Sequence, residues 1–388
     1  MTDHTAPRAD VAAPSPAPSA PLRVLVAGGG TAALEAALAL RALAGDRVTT
    51  TVLAPAGDYV DRPSTVREPF AGAPAARHDL GGLLRDAGAT HVTDSLAWVD
   101  TGERVAHTTG GAALPYDELV IAVGARMHPS YPAATTLDDR SLGTVLGGLV
   151  QDVETGHVRR IAFVVPDGAS WPLPLYELAL QTAERAYDSC TDVRITFITP
   201  ERAPLAVFGP EASAAVAARL QEAGIAVRTG AVAQVPSGQR VLVAERHEAF
   251  DVDRVVTLPV LVGPGIRGLP LTTHGFLPVD PLGAVRGTEH VHAAGDATDF
   301  AVKHGGIAAQ QADVVATVIA RAAGADVTPR PVRAELRGLL LTGRTPVLVG
   351  GRVGREQGFA SSAEGPEAWA QETKIASRHL AAFLEGRR

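Results

Sequence analysis

Apolar positions along this chain follow two rhythms. Short unbroken apolar runs bounded by glycine or proline read as buried strands, and longer stretches with apolar residues every three or four positions read as helices. Residues 22–27 form the first apolar run, 31–43 the first helix and 47–54 a second strand. A long excursion follows through Tyr59, Arg62 and Pro63, then a helical stretch near 79–87. Residues 92–99 and 104–109 read as a strand pair, with a turn at Gly110–Gly111, and 119–123 closes this part. A second unit starts with strand 160–165, helix 174–187 and strand 193–199, followed by an amphipathic helix at 211–223. Near residue 270 the chain returns to the first unit through strands 276–279 and 291–294 and helix 305–323. Alternation of strands and helices predicts an α/β fold with parallel sheets and crossovers. The expected domains are 21–148 with 269–331, then 149–268, then a C-terminal region at 332–388. Within that last region, 369–384 can place Ile375, Leu380, Phe383 and Leu384 along one helical face. Such a helix docks on the body, pairs with a second copy in a homodimer, or lies on a membrane surface.

The first strand turns into its helix through Arg23-Val-Leu-Val-Ala-Gly28-Gly29-Gly30-Thr31-Ala32-Ala33. Gly28 permits a tight turn, Gly30 lets backbone approach a pyrophosphate, and Ala33 is small enough for helix to pack on strand. The helix start offers free N–H groups and a positive dipole end to an anion. Two distant segments complete the pattern: Tyr116-Asp-Glu-Leu-Val-Ile-Ala-Val-Gly124-Ala125, and His290-Val-His-Ala-Ala-Gly295-Asp296-Ala-Thr298. In content and order the three resemble the motifs of the two-dinucleotide-binding-domain flavoproteins. That resemblance implies two Rossmann-like domains and bound FAD. Asp296 would hold the ribityl chain, and Gly124 would let the chain pass close to the cofactor. The implied FAD residues are Gly28, Gly29, Gly30, Thr31, Ala32, Ala33, Leu96, Val123, Gly124, Ala125, Gly295 and Asp296.

Composition narrows the classes. A chain of 388 residues accommodates two or three domains. A net charge of −7 with dispersed Lys and Arg argues against nucleic acid as a partner. The one cysteine, Cys190, lies in a polar link and cannot form an intrachain disulfide. Residues 1–20 are rich in Pro, Ala and Ser and read as a disordered tail, neither a secretory signal nor a membrane helix. No apolar run approaches the roughly 18–20 residues that span a bilayer, so a soluble, cytoplasmic protein is expected. His290 and His292 alternate on a strand without a Cys or an acid pair beside them, so no metal is expected. No Gly-x-Ser-x-Gly element supports hydrolase chemistry.

The turn after the second unit's first strand is Pro166-Asp-Gly168-Ala-Ser-Trp171-Pro172-Leu-Pro174-Leu-Tyr176-Glu177. One glycine, three prolines and a tryptophan argue against the usual nicotinamide nucleotide site. The segment resembles the corresponding loop of sulfide:quinone oxidoreductases and flavocytochrome c sulfide dehydrogenases. The family's redox cysteine falls on Trp171, and none lies near 337–345, which closes the cysteine route for sulfide oxidation. The same resemblance, shared with type II NADH dehydrogenases, puts Glu177 near the isoalloxazine, where burial would suit it to proton transfer. Trp171 and Tyr176 would line the substrate face of the flavin or sit in the core. Lys303, followed by His304, Gly305 and Gly306, resembles the family's turn at the start of the last FAD helix. Lys303 or that helix end would stabilise negative charge on the reduced flavin. Arg62 and Pro63 match a Tyr-Arg-Pro element of some relatives. The second strand lacks the acid that grips the adenosine ribose, with Asp58 the nearest substitute. The expectation is an FAD-dependent oxidoreductase passing electrons to a quinone or another small acceptor. The alternatives are an NAD(P)H-dependent enzyme of the type II NADH dehydrogenase or ferredoxin reductase kind, and a non-catalytic FAD-binding scaffold.

Overall fold

The structure is a computed structural model that describes residues 20–137, 142–243, 246–352, 362–364 and 374–387. Its first sheet has five parallel strands. In spatial order they are Val291–Ala293, Glu118–Ile121, Leu22–Ala27, Val48–Leu53 and Thr90–Val92. Leu22–Ala27 is central because both of its faces are buried. Val24 and Val26 face one core, and Leu25 and Ala27 face another.

Helix α1 (Thr31–Ala44) leaves the first strand. Helix α2 (Leu80–Asp86) precedes the edge strand and is capped by the Asp79 carboxylate, which accepts from Gly82 N at 2.8 Å. Alanines let α1 pack closely on a later helix. Ala32, Ala33, Ala36 and Ala37 share a core with Ala308, Ala312 and Ala316.

The second sheet is also parallel, in the order Thr135–Thr136, Arg254–Thr257, Arg160–Val164, Arg194–Ile198 and Ala226–Arg228. It carries α3 (Leu142–Glu154), α4 (Leu173–Asp188) and α5 (Pro210–Glu222). The antiparallel pair Arg126–His128 and Val260–Val262 joins the two sheets. Thr135–Thr136 and α3 therefore belong with the second sheet, upstream of residue 148. The chain re-enters the first sheet at Val291–Ala293 and continues into α6 (Gly305–Ala322).

Two elements differ from the sequence reading. Residues 276–279 form no strand and make only single bridges, Leu277 to Thr298 and Val279 to Val285. Pro278 has no N–H to give a ladder. The expected helix 369–384 shortens to α7 (Leu380–Glu385), and Trp369 lies outside the described residues. The physical reason is Glu35, buried on α1. Its Oε1 accepts the backbone N–H groups of Arg378 and His379, both at 2.9 Å, and its Oε2 accepts that of Leu380 at 2.7 Å. A carboxylate on these donors fixes the start of α7 there. Leu380 and Leu384 then pack into the α1 core, so the apolar face read as a membrane surface is covered by the protein itself. The expected tail at 1–20 falls outside the described residues apart from Ala20. Among the described residues no helix is long and apolar enough to cross a membrane.

Candidate functional site

The three sequence motifs meet at the carboxyl ends of three adjacent strands, where a doubly wound sheet binds ligands. Gly28 has φ of 131°, and its Cα lies so close to the next strand that a Cβ there would stand 2.1 Å from the Ala122 carbonyl oxygen. Only glycine fits. A Cβ on Gly295 would touch Ala32 Cβ at 3.3 Å, so the Gly295–Asp296 turn sits directly on the first turn of α1. Gly30 and Gly124 differ from these, since a Cβ on either would meet nothing within 4 Å. Gly29 packs against Ala54 and Leu80. The α1 N-terminus has no side-chain cap and no acid in its first turn, which leaves its N–H groups for an anion. Val123 is exposed at the lip, beside half-buried Ala125, and Leu96 is half-buried on the neighbouring Leu96–Asp100 strand.

Asp296 carries a carboxylate with no hydrogen bond among the described residues. Burial pushes its pKa up, and the charges of Lys303 and Arg62 oppose that rise. The Lys303 ammonium donates to the Thr298 carbonyl and lies 4.0 Å from the Phe276 ring centroid. Burial lowers its pKa to about 8, against the pull of Asp296 and Asp299. Arg62 and Pro63 begin a short 3₁₀ segment, Arg62–Phe70, beside this site. These open glycines, the uncapped helix end and the unpartnered acid fit a phosphate-bearing dinucleotide with a polyol chain.

A second cluster lies at the N-terminus of α4. Trp171 packs on His304, with centroids 4.5 Å apart, and edge-on against Phe208. His304 is buried with Nδ1 unpartnered, and desolvation lowers its pKa to about 4, so the ring is neutral at ordinary pH. Glu177 is fully buried. Its Oε1 accepts from Lys374 Nζ at 2.5 Å and from Leu341 N at 3.0 Å, while Oε2 has no partner. Burial raises the Glu177 pKa, and Lys374 acts against that rise. Lys374 escaped the sequence reading because it lies 197 residues from its partner and belongs to no motif. Gly305 and Gly306 form the uncapped first turn of α6, under Ile375 and Ala376.

Residues 175–313 match the family model described as pyridine nucleotide-disulphide oxidoreductase. Among solved structures, the sulfide:quinone oxidoreductase of Aquifex aeolicus superposes with a TM-score of 0.81 at 16% identity, covering 88% of this chain and 87% of that one. The fold is that of this sulfide:quinone oxidoreductase. A NAD-dependent persulfide reductase from A. fulgidus also matches, with a TM-score of 0.62 and 19% identity over 86% of this chain and 64% of that one. So does a ferredoxin reductase from Rhodopseudomonas palustris, with a TM-score of 0.66 and 18% identity over 89% and 88% of the two chains. No curated protein sequence matches.

Within this fold, some expected residues stand elsewhere. Tyr176 is a core residue. Its ring stacks on Phe197 at 4.1 Å and its hydroxyl donates to Glu201 at 2.7 Å, so it is committed away from the Trp171 cluster. Ala54 ends the second strand buried and Asp58 is exposed, so no acid stands at the end of that strand. His290 and His292 both meet the Glu118 carboxylate, at 2.8 and 3.0 Å, and tie neighbouring strands together.

Glu35, Asp313 and His379 gather where the C-terminal segment docks on α1 and α6. Burial and the Glu35 charge push Asp313 up to about 7, and Arg378 opposes them. An acid whose folded pKa is raised binds more protons when folded, so stability falls as pH climbs from about 4 to about 7. Asp313→Asn removes that penalty. The variant should exceed the parent by about 2 kcal/mol at pH 8 after allowance for solvent screening, and match it at pH 4. Urea unfolding at the two pH values checks this, and equal curves at pH 8 would refute it.

Proposed function

We propose that the chain binds FAD across the Gly28–Gly30 turn, Gly124 and Asp296, and works as a flavin-dependent oxidoreductase. It passes electrons to a quinone or another small acceptor without a cysteine pair. The observation that carries the reading is the meeting of Gly28, Gly124 and Gly295–Asp296 at the ends of adjacent strands. FAD, when bound, supplies a two-electron store. The residues supply binding, charge and protons.

The α1 N-terminus and Gly30 hold the pyrophosphate, Asp296 the ribityl hydroxyls, and Arg62, Pro63, Gly305 and Gly306 the flavin end. Lys303, charged below about pH 8, places a positive charge at that end, and the charge fades as pH rises through that value. Glu177, with its pKa raised by burial, Lys374 on one oxygen and the other oxygen free, is placed to take up and release a proton on the Trp171 side. Neutral His304 and Trp171 wall that side against water. The reading brings with it a division into an FAD-binding part, a second dinucleotide-like part and a C-terminal part. Peripheral contact with a membrane quinone, through a surface other than the covered face of α7, and a cytoplasmic setting belong to the same proposal.

Purified protein should show flavin absorption bands. Under argon, flavin reduced by light should be reoxidised by a soluble quinone, and NADH should leave the oxidised bands intact. Rapid bleaching by NADH would favour a nicotinamide donor instead. A protein that stays colourless with added FAD would defeat the proposal.

A further inference from the structure

Away from the flavin residues the described chain forms a partly open hollow of about 390 Å³. It lies between the end of the Arg62–Phe70 segment, the last two turns of α4 and the loop at 341–346. None of its lining residues belongs to the cofactor site described above, and its size suits a small organic ligand.

The walls divide cleanly by chemistry. Phe70, Leu341 and Pro346 give an apolar side. The charged lining is Arg67, Arg185 and Arg344 against Glu184 and Asp188, an excess of one positive charge. Two of the three arginines are committed. Arg185 donates to the Phe70 carbonyl at 2.5 Å and stands 3.3 Å from Glu154. Arg344 Nε contacts both oxygens of Glu184, at 2.7 and 2.6 Å, and its guanidinium lies over the Tyr187 ring. The half-buried Arg67 guanidinium has neither a hydrogen bond nor an ion pair among the described residues. A guanidinium presents a planar fork of donors matched to a carboxylate, and withdrawing it from water without a partner is costly.

We propose that this hollow is a binding site for a small organic acid. The ligand carboxylate pairs with Arg67, and its short apolar or aromatic body rests on Phe70, Leu341 and Pro346. Binding here needs no flavin, so the site stands or falls apart from the function proposed above. The site nevertheless touches the buried acid. Leu341, part of the wall, donates its N–H to Glu177, and the Arg67 charge reaches that carboxyl and favours its ionised form. An anion on Arg67 therefore makes it easier for Glu177 to hold a proton, and binding is accompanied by proton uptake.

The test is calorimetry on the full chain with benzoate, and with benzamide as its uncharged counterpart. Benzoate should bind saturably and at least tenfold tighter than benzamide. Arg67→Gln should lose at least tenfold for benzoate while leaving benzamide unchanged, with an unaltered melting profile. Pro346→Trp, which fills the apolar side and keeps Arg67, should weaken both probes. Repeating the benzoate titration in two buffers of different ionisation enthalpy should reveal proton uptake. The site is refuted if benzoate gives no saturable heat, if benzamide binds equally well, or if Arg67→Gln binds benzoate like the parent. A flavin spectrum recorded alongside reports on the flavin reading independently.

Discussion

Lys374→Met should destabilise the protein by about 3 kcal/mol at pH 7. The substitution strands the Glu177 carboxylate in a fully buried position, with the Leu341 N–H as its remaining hydrogen bond among the described residues and the Arg67 charge its remaining cation. The stranded acid escapes by taking a proton. From its ordinary value of 4.5, that costs about 1.4 kcal/mol for each pH unit up to neutrality, or about 3 kcal/mol in all. The figure falls within the range of about 3–5 kcal/mol for breaking a buried pair from one side. The sign against pH follows from a raised folded-state pKa. The loss grows as pH climbs above about 4.5 and shrinks toward a packing change alone below it. Adding Glu177→Gln to Lys374→Met should recover most of the loss, because no charge is then left buried. Urea unfolding of the parent, the single and the double variant at pH 5 and pH 8 makes the comparison. A single variant equally unstable at both pH values would show that the pair is not ionic as drawn.

Asp296→Ala should separate cofactor affinity from stability. In the protein alone this carboxylate is desolvated, its pKa is raised, and Lys303 and Arg62 offset only part of the cost. Removing it should leave the melting temperature of the flavin-free protein unchanged or slightly higher. Affinity for FAD should fall about 10- to 100-fold, since a hydrogen bond to a charged group is worth about 1.5–3 kcal/mol. Fluorescence titration with FAD, beside thermal melts without it, reads both quantities. Unchanged affinity would remove Asp296 from the site.

The strand–turn–helix at Leu22–Ala44 was legible because an apolar run, a glycine turn and an alanine-rich helix all point the same way. The meeting of Gly28 with Ala122, and of Gly295 with Ala32, was legible through motif order alone, since periodicity cannot say which strands become neighbours. The helix read at 369–384 failed for a tertiary reason. Apolar spacing carries no information about a carboxylate on another helix that takes the backbone donors of Arg378, His379 and Leu380. Tyr176 shows the same limit. The loop's resemblance left it either on the flavin's substrate face or in the core, and only its neighbours in space, Phe197 under the ring and Glu201 at the hydroxyl, put it in the core. Lys374 and Arg67 were invisible for opposite reasons. One gains its meaning from a partner 197 residues away, the other from having no hydrogen bond or ion pair among the described residues.

Glu35 bears on how this chain is made. It sits in the first helix, yet the donors that satisfy it are 343 to 345 residues further on. At about 5–20 residues per second, a ribosome needs roughly 17–70 s to deliver them. Throughout that interval the Glu35 carboxylate must stay in water, so the face of the first helix around it cannot be sealed until the last residues arrive.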